Sequence, residues 1–166
     1  MHLVYLGLGS NVNDRLCNLS RGIAEIRKIA EIKDVSSIYE TEPVEMNSKN
    51  MFYNMALAVE TSLTPPELLP SLRAIEKKLG RRRHKKLADR TLDIDILLYQ
   101  TINYHDHDLQ VPHPRMEFRR FVLEPLSEIA ADEIHTPSRK SIANLLAQCP
   151  DGSLVCRTPH TLTLIP

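Results

Sequence analysis

Apolar positions along this chain recur at two spacings, and the alternation between them lays out the elements. Leu3-Val4-Tyr5-Leu6-Gly7-Leu8-Gly9 is a nearly continuous apolar run of strand length, closed by Ser10-Asn11. Leu16, Leu19, Ile23, Ile26 and Ala30 then follow at helical spacing, which predicts a helix capped by Asn11 or Asp14. Val35 to Tyr39 reads as a second strand and Phe52 to Glu60 as a third. Between them Pro43 holds Glu42 extended, and the polar stretch to Asn50 reads as a surface loop. Thr64-Pro65-Pro66-Glu67 has the spacing of a capping box with proline at the first helical position. Leu68, Leu69, Leu72, Ile75 and Leu79 supply the stripe of that helix, and Gly80 its stop. Arg90 to Leu98 returns to strand alternation. A turn from Gln100 to Asp108, a short edge segment Leu109-Gln110-Val111 and a helix-like run from Arg119 to Leu126 complete the middle of the chain. Ser141 to Ala147 reads as a short amphipathic helix, and the tail from Leu154 as a terminal hairpin.

Two of these strands carry chemistry on one face. In the third, Tyr53, Met55, Leu57 and Val59 form a core side, while Phe52, Asn54, Ala56, Ala58 and Glu60 form the other. An aromatic ring beside a carboxamide over small alanines leaves room for a flat polar ligand, although a partly exposed sheet face would look the same. In the strand from Arg90, Thr91, Asp93, Asp95 and Leu97 share a side, and Leu92, Ile94, Ile96 and Leu98 share an apolar core side. Asp93 and Asp95 then lie roughly 6–7 Å apart at the backbone, and like charges that close repel unless a cation sits between them. Mg²⁺ suits such a pair, because it takes oxygen ligands and keeps positions open for phosphates. Taken alone, the pair is equally a solvated strand face.

Composition narrows the setting. The chain has 166 residues, 42% hydrophobic and 25% charged, which fits one ordinary globular domain spanning 1–166 with the tail from about 150 unassigned. Lys plus Arg and Asp plus Glu number 21 each, so no global bias draws it to nucleic acid or membrane. The three cysteines, Cys17, Cys149 and Cys156, form no C-x-x-C motif and favour a reducing, cytoplasmic setting. No segment approaches about 18 consecutive apolar residues, so no membrane span is expected. Against this balance Arg81-Arg82-Arg83-His84-Lys85-Lys86 is the dense basic run, placed just before the acidic pair. A solvated loop is the plain reading of it. An anion-binding loop beside a metal-type carboxylate pair is the combination that phosphoryl transfer needs. Gly7-x-Gly9 before a helix is better read as a strand-to-helix turn than as a dinucleotide fingerprint, since position 12 is Val.

The ordered set of motifs resembles the 6-hydroxymethyl-7,8-dihydropterin pyrophosphokinases of folate biosynthesis. It runs through Leu6-Gly7-Leu8-Gly9-Ser10-Asn11, Ser37-Ile38-Tyr39-Glu40-Thr41-Glu42-Pro43, Phe52-Tyr53-Asn54, Gly80-Arg81, Arg90 to Leu97, Val111 to Arg115 and Arg119 to Leu126. The resemblance implies an α/β (α+β) ferredoxin-like sandwich, with a mostly antiparallel sheet and flanking helices. It also implies an ATP-dependent diphosphotransferase that moves the β,γ-diphosphoryl group of ATP to the pterin hydroxymethyl oxygen and releases AMP. By that resemblance Asp93 and Asp95 hold two Mg²⁺ ions, and Arg81, Arg90 and the two aspartates are the catalytic set. Thr41, Val44, Phe52, Asn54 and Phe121 bind the pterin, which stacks between the two phenylalanines. Glu76, Arg81, Arg83, Arg90, Ile96, Gln110, His113 and Arg119 bind ATP, with Arg115 close by. Small-molecule substrates and a monomer are expected, with neither nucleic acid nor membrane as partner. The chain departs from the family pattern at Asn13, where glycine is usual, at Asp89, where proline is usual, and at Leu87, where some members carry an aromatic. A competing reading is a ferredoxin-like RNA-binding module with residues 81–86 as a phosphate clamp, but Asp93 and Asp95 on the central strand would repel a polyanion.

Overall fold

The first apolar run becomes β1 (His2–Ser10), an interior strand of an antiparallel sheet in the computed structural model, which describes residues 1–80 and 88–162. After it come α1 (Arg15–Ile26), β2 (Glu31–Val35), β3 (Tyr39–Thr41), β4 (Phe52–Thr61), α2 (Pro65–Lys78) and β5 (Asp93–Tyr99). The chain continues through β6 (Tyr104–His105), β7 (Gln110–Val111), a 3₁₀ turn (Met116–Phe118) and α3 (Arg120–Ala130). It ends with β8 (Ile134–His135), β9 (Lys140–Ser141), α4 (Ile142–Ala147) and β10 (Val155–Arg157). The main sheet runs β10-β3-β4-β1-β5, and β2 also pairs with β4. Asp14 caps α1 by accepting from the Cys17 amide at 2.9 Å, and the Thr64/Glu67 capping box opens α2 as its spacing predicts. Gly80, just past α2, has φ +93°, a conformation that glycine takes at little cost.

Helices cover both faces of the sheet. On one, Leu19, Ile23 and Ile26 of α1 and Leu68, Leu72 and Ile75 of α2 pack with Val4, Leu6 and Leu8 and with the core side of β4. On the other, Val122, Leu123 and Leu126 of α3 and Ile142 and Leu145 of α4 meet Tyr5, Ala56, Ala58 and Leu98. The part of this face beyond α3, around Gly7, Gly9 and Asn54, is left for the cavity described below.

Three expectations need correction. Val35 to Tyr39 is not one strand: β2 ends at Val35, and β3 begins at Tyr39 against the first residues of β4. Ser36 bridges the step, its amide donating to the Ala56 carbonyl at 3.0 Å and its hydroxyl accepting from the Ala56 amide at 2.8 Å. The alternation in β5 also breaks. Tyr5 pairs with Leu98 while Leu6 pairs with Ile96, so Leu97 is an extra residue, and Leu97 and Leu98 both join the α3 side. Such a bulge inserts one residue without a partner and reverses the facing of everything after it. Finally, the tail forms no hairpin among the described residues; β10 adds to the edge of the main sheet along β3.

Candidate active site

The sheet register builds the floor of the site. Gly7 of β1 stands opposite Asp95 on one side and Ala56 on the other; Gly9 stands opposite Asp93 and Asn54. Directly paired residues of antiparallel strands share a face, so both carboxylates, both glycines and the Asn54 carboxamide point the same way. A Cβ on Gly9 would lie 2.6 Å from Asn54 Oδ1, too close for any side chain without movement. Asn54 is buried and donates its Nδ2 to Thr41 Oγ1 at 2.7 Å, which fixes the amide orientation and leaves Oδ1 as an acceptor above Gly9. A cavity of about 260 Å³ opens over this floor.

Rings and cations wall it. Phe52 and Phe121 both line the cavity, and each has a guanidinium near its face: Arg90 at 5.8 Å from the Phe52 centroid and Arg119 at 5.6 Å from that of Phe121. Arg90 pairs with Asp93, and its amide donates to Asn11 Oδ1 at 2.8 Å. Arg119 and Arg115 both reach Glu45 Oε2, at 2.7 and 3.0 Å, and hold the Glu45 carboxyl below its usual range, Arg119 foremost. Arg119 Nε is buried with no partner among the described residues, a donor ready for a ligand acceptor. Burial, then the charges of Arg119 and Arg115, push His113 down to about 4, so its imidazole is neutral at physiological pH. Its Nδ1 accepts from the Arg115 amide at 3.2 Å, which assigns the proton to Nε2.

One cavity therefore collects Thr41, Val44, Phe52, Asn54, Phe121, Arg90, Asp93, Asp95, His113 and Arg119. Arg81 and Arg83 lie outside the described residues, as does the basic run as a whole. The side chains of three other predicted ATP contacts point elsewhere. Glu76 is 2% exposed and accepts the Ile94 amide at 2.8 Å, directly between the two aspartates. Ile96 sits in the core on the α1/α2 side, and Gln110 lines a separate shallow depression with Tyr104 and Thr136. Sequence reasoning missed the floor glycines, Glu45 and Met46. The signal for the glycines was available: glycine at alternate positions of a strand marks close approach of a ligand or side chain.

Comparison with known proteins identifies the family. The family described as 7,8-dihydro-6-hydroxymethylpterin-pyrophosphokinase (HPPK) matches residues 5–131. The chain belongs to the HPPK family. A pyrophosphokinase of this name from Bacillus subtilis is 45% identical over 130 residues, covering 77% of this chain and 78% of the relative. One from Aquifex aeolicus is 40% identical over 142 residues, covering 86% and 89%. Among solved structures, Plasmodium falciparum HPPK-DHPS superposes with a TM-score of 0.72 at 16% identity, covering 89% of this chain. The present chain spans 44% of that longer protein, and the likeness carries the HPPK fold. Among the described residues no helix is long and apolar enough to cross a membrane.

Proposed function

We propose that this HPPK-family pyrophosphokinase of folate biosynthesis binds ATP along the Asp93–Asp95 edge and 6-hydroxymethyl-7,8-dihydropterin between Phe52 and Phe121. The observation that carries the reading is the shared cavity, in which the carboxylate pair and the Phe52/Asn54 pocket face each other across Gly7 and Gly9. The donor set fits Mg²⁺: two carboxylates on one face, with no Cβ on the paired glycines to block the approach of phosphate. When bound there, two such ions supply positive charge to the phosphate and hydroxyl oxygens.

The protein's own groups do the rest. Asn54 Oδ1, the Thr41 hydroxyl and the Val44 backbone read the polar edge of the pterin, and the phenylalanines hold its faces. Arg119, through its unpaired Nε, and neutral His113, through Nε2–H, donate to phosphate oxygens; Arg90 neutralises charge beside Asp93. Arg81 and Arg83 of the basic run are assigned to the same phosphates. The pterin oxygen bonds to the β-phosphorus, the bond from that phosphorus to the α,β-bridging oxygen breaks, AMP departs, and the hydroxyl proton is released. A monomer comprising one domain is the form proposed for the enzyme. The free cysteines, two of them exposed, support a reducing cytoplasmic location.

Incubation with ATP, Mg²⁺ and the pterin alcohol tests the reading. AMP and the pterin diphosphate are the expected products; ADP, or no turnover with Mg²⁺ or Mn²⁺, refutes it. Asp95→Ala should abolish turnover and keep the fold, whereas activity within about tenfold of wild type would remove the metal assignment. RNA binding gains no support from the structure, because α3 covers much of the sheet face that an RNA-binding module of this type leaves open.

A further inference from the structure

The carboxylate of Asp89 gathers three side-chain donors from two distant segments. Asn11 Nδ2 donates to Oδ1 at 2.7 Å, the Ser48 hydroxyl to Oδ1 at 2.6 Å, and Asn50 Nδ2 to Oδ2 at 2.6 Å. Ser48 foremost, with Asn11 and Asn50, holds the Asp89 carboxyl below its usual range. Asn11 in turn grips the next residue twice, accepting the Arg90 amide at 2.8 Å and donating its own amide to the Arg90 carbonyl at 3.2 Å. Asn11 follows β1 directly and is 4% exposed, so this end of the network is anchored in the sheet. The other end is the loop between β3 and β4, which carries Val44 and Met46 to the cavity wall.

We infer that Asp89 is a positioning residue that latches the loop from Glu42 to Met51 to the Asn11–Arg90 junction, holding Val44 and Met46 in place for the pterin. The inference rests on the pyrophosphokinase reading of the cavity. Its physical basis is entropic. A ten-residue loop without ladder pairing has many conformations, and ligand affinity falls by the fraction of the ensemble in which the wall is formed. Asp89 itself does not line the cavity, and its effect passes through Ser48 and Asn50.

Lys49 lies exposed between the two latched residues and provides a direct reporter. Asp89→Ala is compared with wild type and with Ser48→Ala/Asn50→Ala in three measurements: steady-state kinetics, ATP titration without pterin, and the rate of tryptic cleavage after Lys49 followed by mass spectrometry. Losing these bonds should raise the pterin KM about tenfold with kcat within about threefold and ATP affinity within about twofold, and should speed Lys49 cleavage at least about fivefold. The Ser48/Asn50 double variant should reproduce both changes, and adding Asp89→Ala to it should change little further. Asp89→Asn, which keeps one acceptor oxygen, should fall between. Unchanged cleavage at Lys49, additive effects, or equal losses for ATP and pterin with a lowered Tm would overturn the latch. Absence of AMP from the wild-type protein would refute the pyrophosphokinase reading instead, and the Lys49 measurement would still decide whether Asp89 holds the loop.

Discussion

Replacing Gly9 with alanine tests the floor of the site most sharply. The new methyl would lie 2.6 Å from Asn54 Oδ1, whereas ordinary contact begins at 3.4 Å, so the two groups must separate by about 0.8 Å. Gly9 is paired on both sides, to Asn54 of β4 and Asp93 of β5, which leaves β1 little freedom to retreat. The Asn54 carboxamide must therefore turn, straining or breaking its 2.7 Å bond to Thr41. Overpacking in a tight site costs about 1–3 kcal/mol, and a buried amide deprived of its partner falls in the same range. Stability should drop by about 2 kcal/mol in urea titrations, and pterin affinity by about tenfold by calorimetry, with ATP affinity within about twofold. The steric origin makes a further demand. In an Asn54→Ala background the offending oxygen is gone, so adding Gly9→Ala should cost less than about 0.5 kcal/mol. Gly7→Ala is the control for the stability loss alone, because its Cβ would meet only the Leu97 side chain, the nearest atom a methyl at 3.3 Å. If Gly9→Ala costs as much without the Asn54 carboxamide as with it, or leaves pterin binding untouched, the geometry argued for the floor is wrong.

Glu76→Leu removes the acceptor of the buried Ile94 amide, and chemical denaturation should show a loss of about 1–3 kcal/mol, mostly restored in Glu76→Gln; equal stability of all three proteins would refute this structural role. His113 titrates at about 4 when folded against 6.5 in an unfolded chain, so the fold favours its neutral form; the resulting stability is complete above pH 6.5 and is lost as pH falls through about 4. Wild type should therefore lose about 3 kcal/mol more than His113→Asn between pH 7 and 4 in urea titrations, and parallel curves would contradict the shift. Glu45→Gln removes the carboxylate that occupies Arg115 and Arg119, so calorimetric ATP affinity should rise; a weaker affinity would mean that Glu45 supports the phosphate site rather than competes for it.

Periodicity carried the sequence reading furthest where packing follows it. The two faces of β4 separate as alternation demands: Tyr53, Met55, Leu57 and Val59 lie with α1 and α2, while Phe52 and Asn54 face the cavity. The capping box of α2 is a local pattern and formed as such. What stayed hidden depends on partners far along the chain. Nothing in Asp93 to Tyr99 marks Leu97 as an inserted residue, since the bulge exists only against β1. The break at Ser36 is likewise set by its bonds to Ala56, twenty residues away. Asn13 shows the opposite case. The resemblance noted above leads one to expect glycine there, and Asn13 adopts φ +56°, a left-handed conformation that asparagine tolerates better than most side chains. Glu45, with φ +58°, takes the same conformation with no residue type to announce it, and its role with Arg115 and Arg119 was invisible for that reason.

The floor also explains why β1 is so lopsided. Its core side holds Val4, Leu6 and Leu8, all essentially buried, while the opposite side holds Leu3 and Tyr5 and then only Gly7 and Gly9. Two rows cross the sheet there, Asp95–Gly7–Ala56 and Asp93–Gly9–Asn54. Adjacent strands lie about 4.8 Å apart, so the carboxylate edge and the pterin-reading carboxamide are separated by about 10 Å, with β1 between them. With ATP and pterin placed as proposed, the transferred group passes above that strand, and any side chain at position 7 or 9 would stand in the gap between donor and acceptor. A strand with two-sided demands thus puts its hydrophobic content on one face, where burial stabilises the sheet, and gives up side chains on the other, where space is the functional property. In the proposed reading, the same two glycines that fail as a dinucleotide fingerprint form the passage between the two substrates.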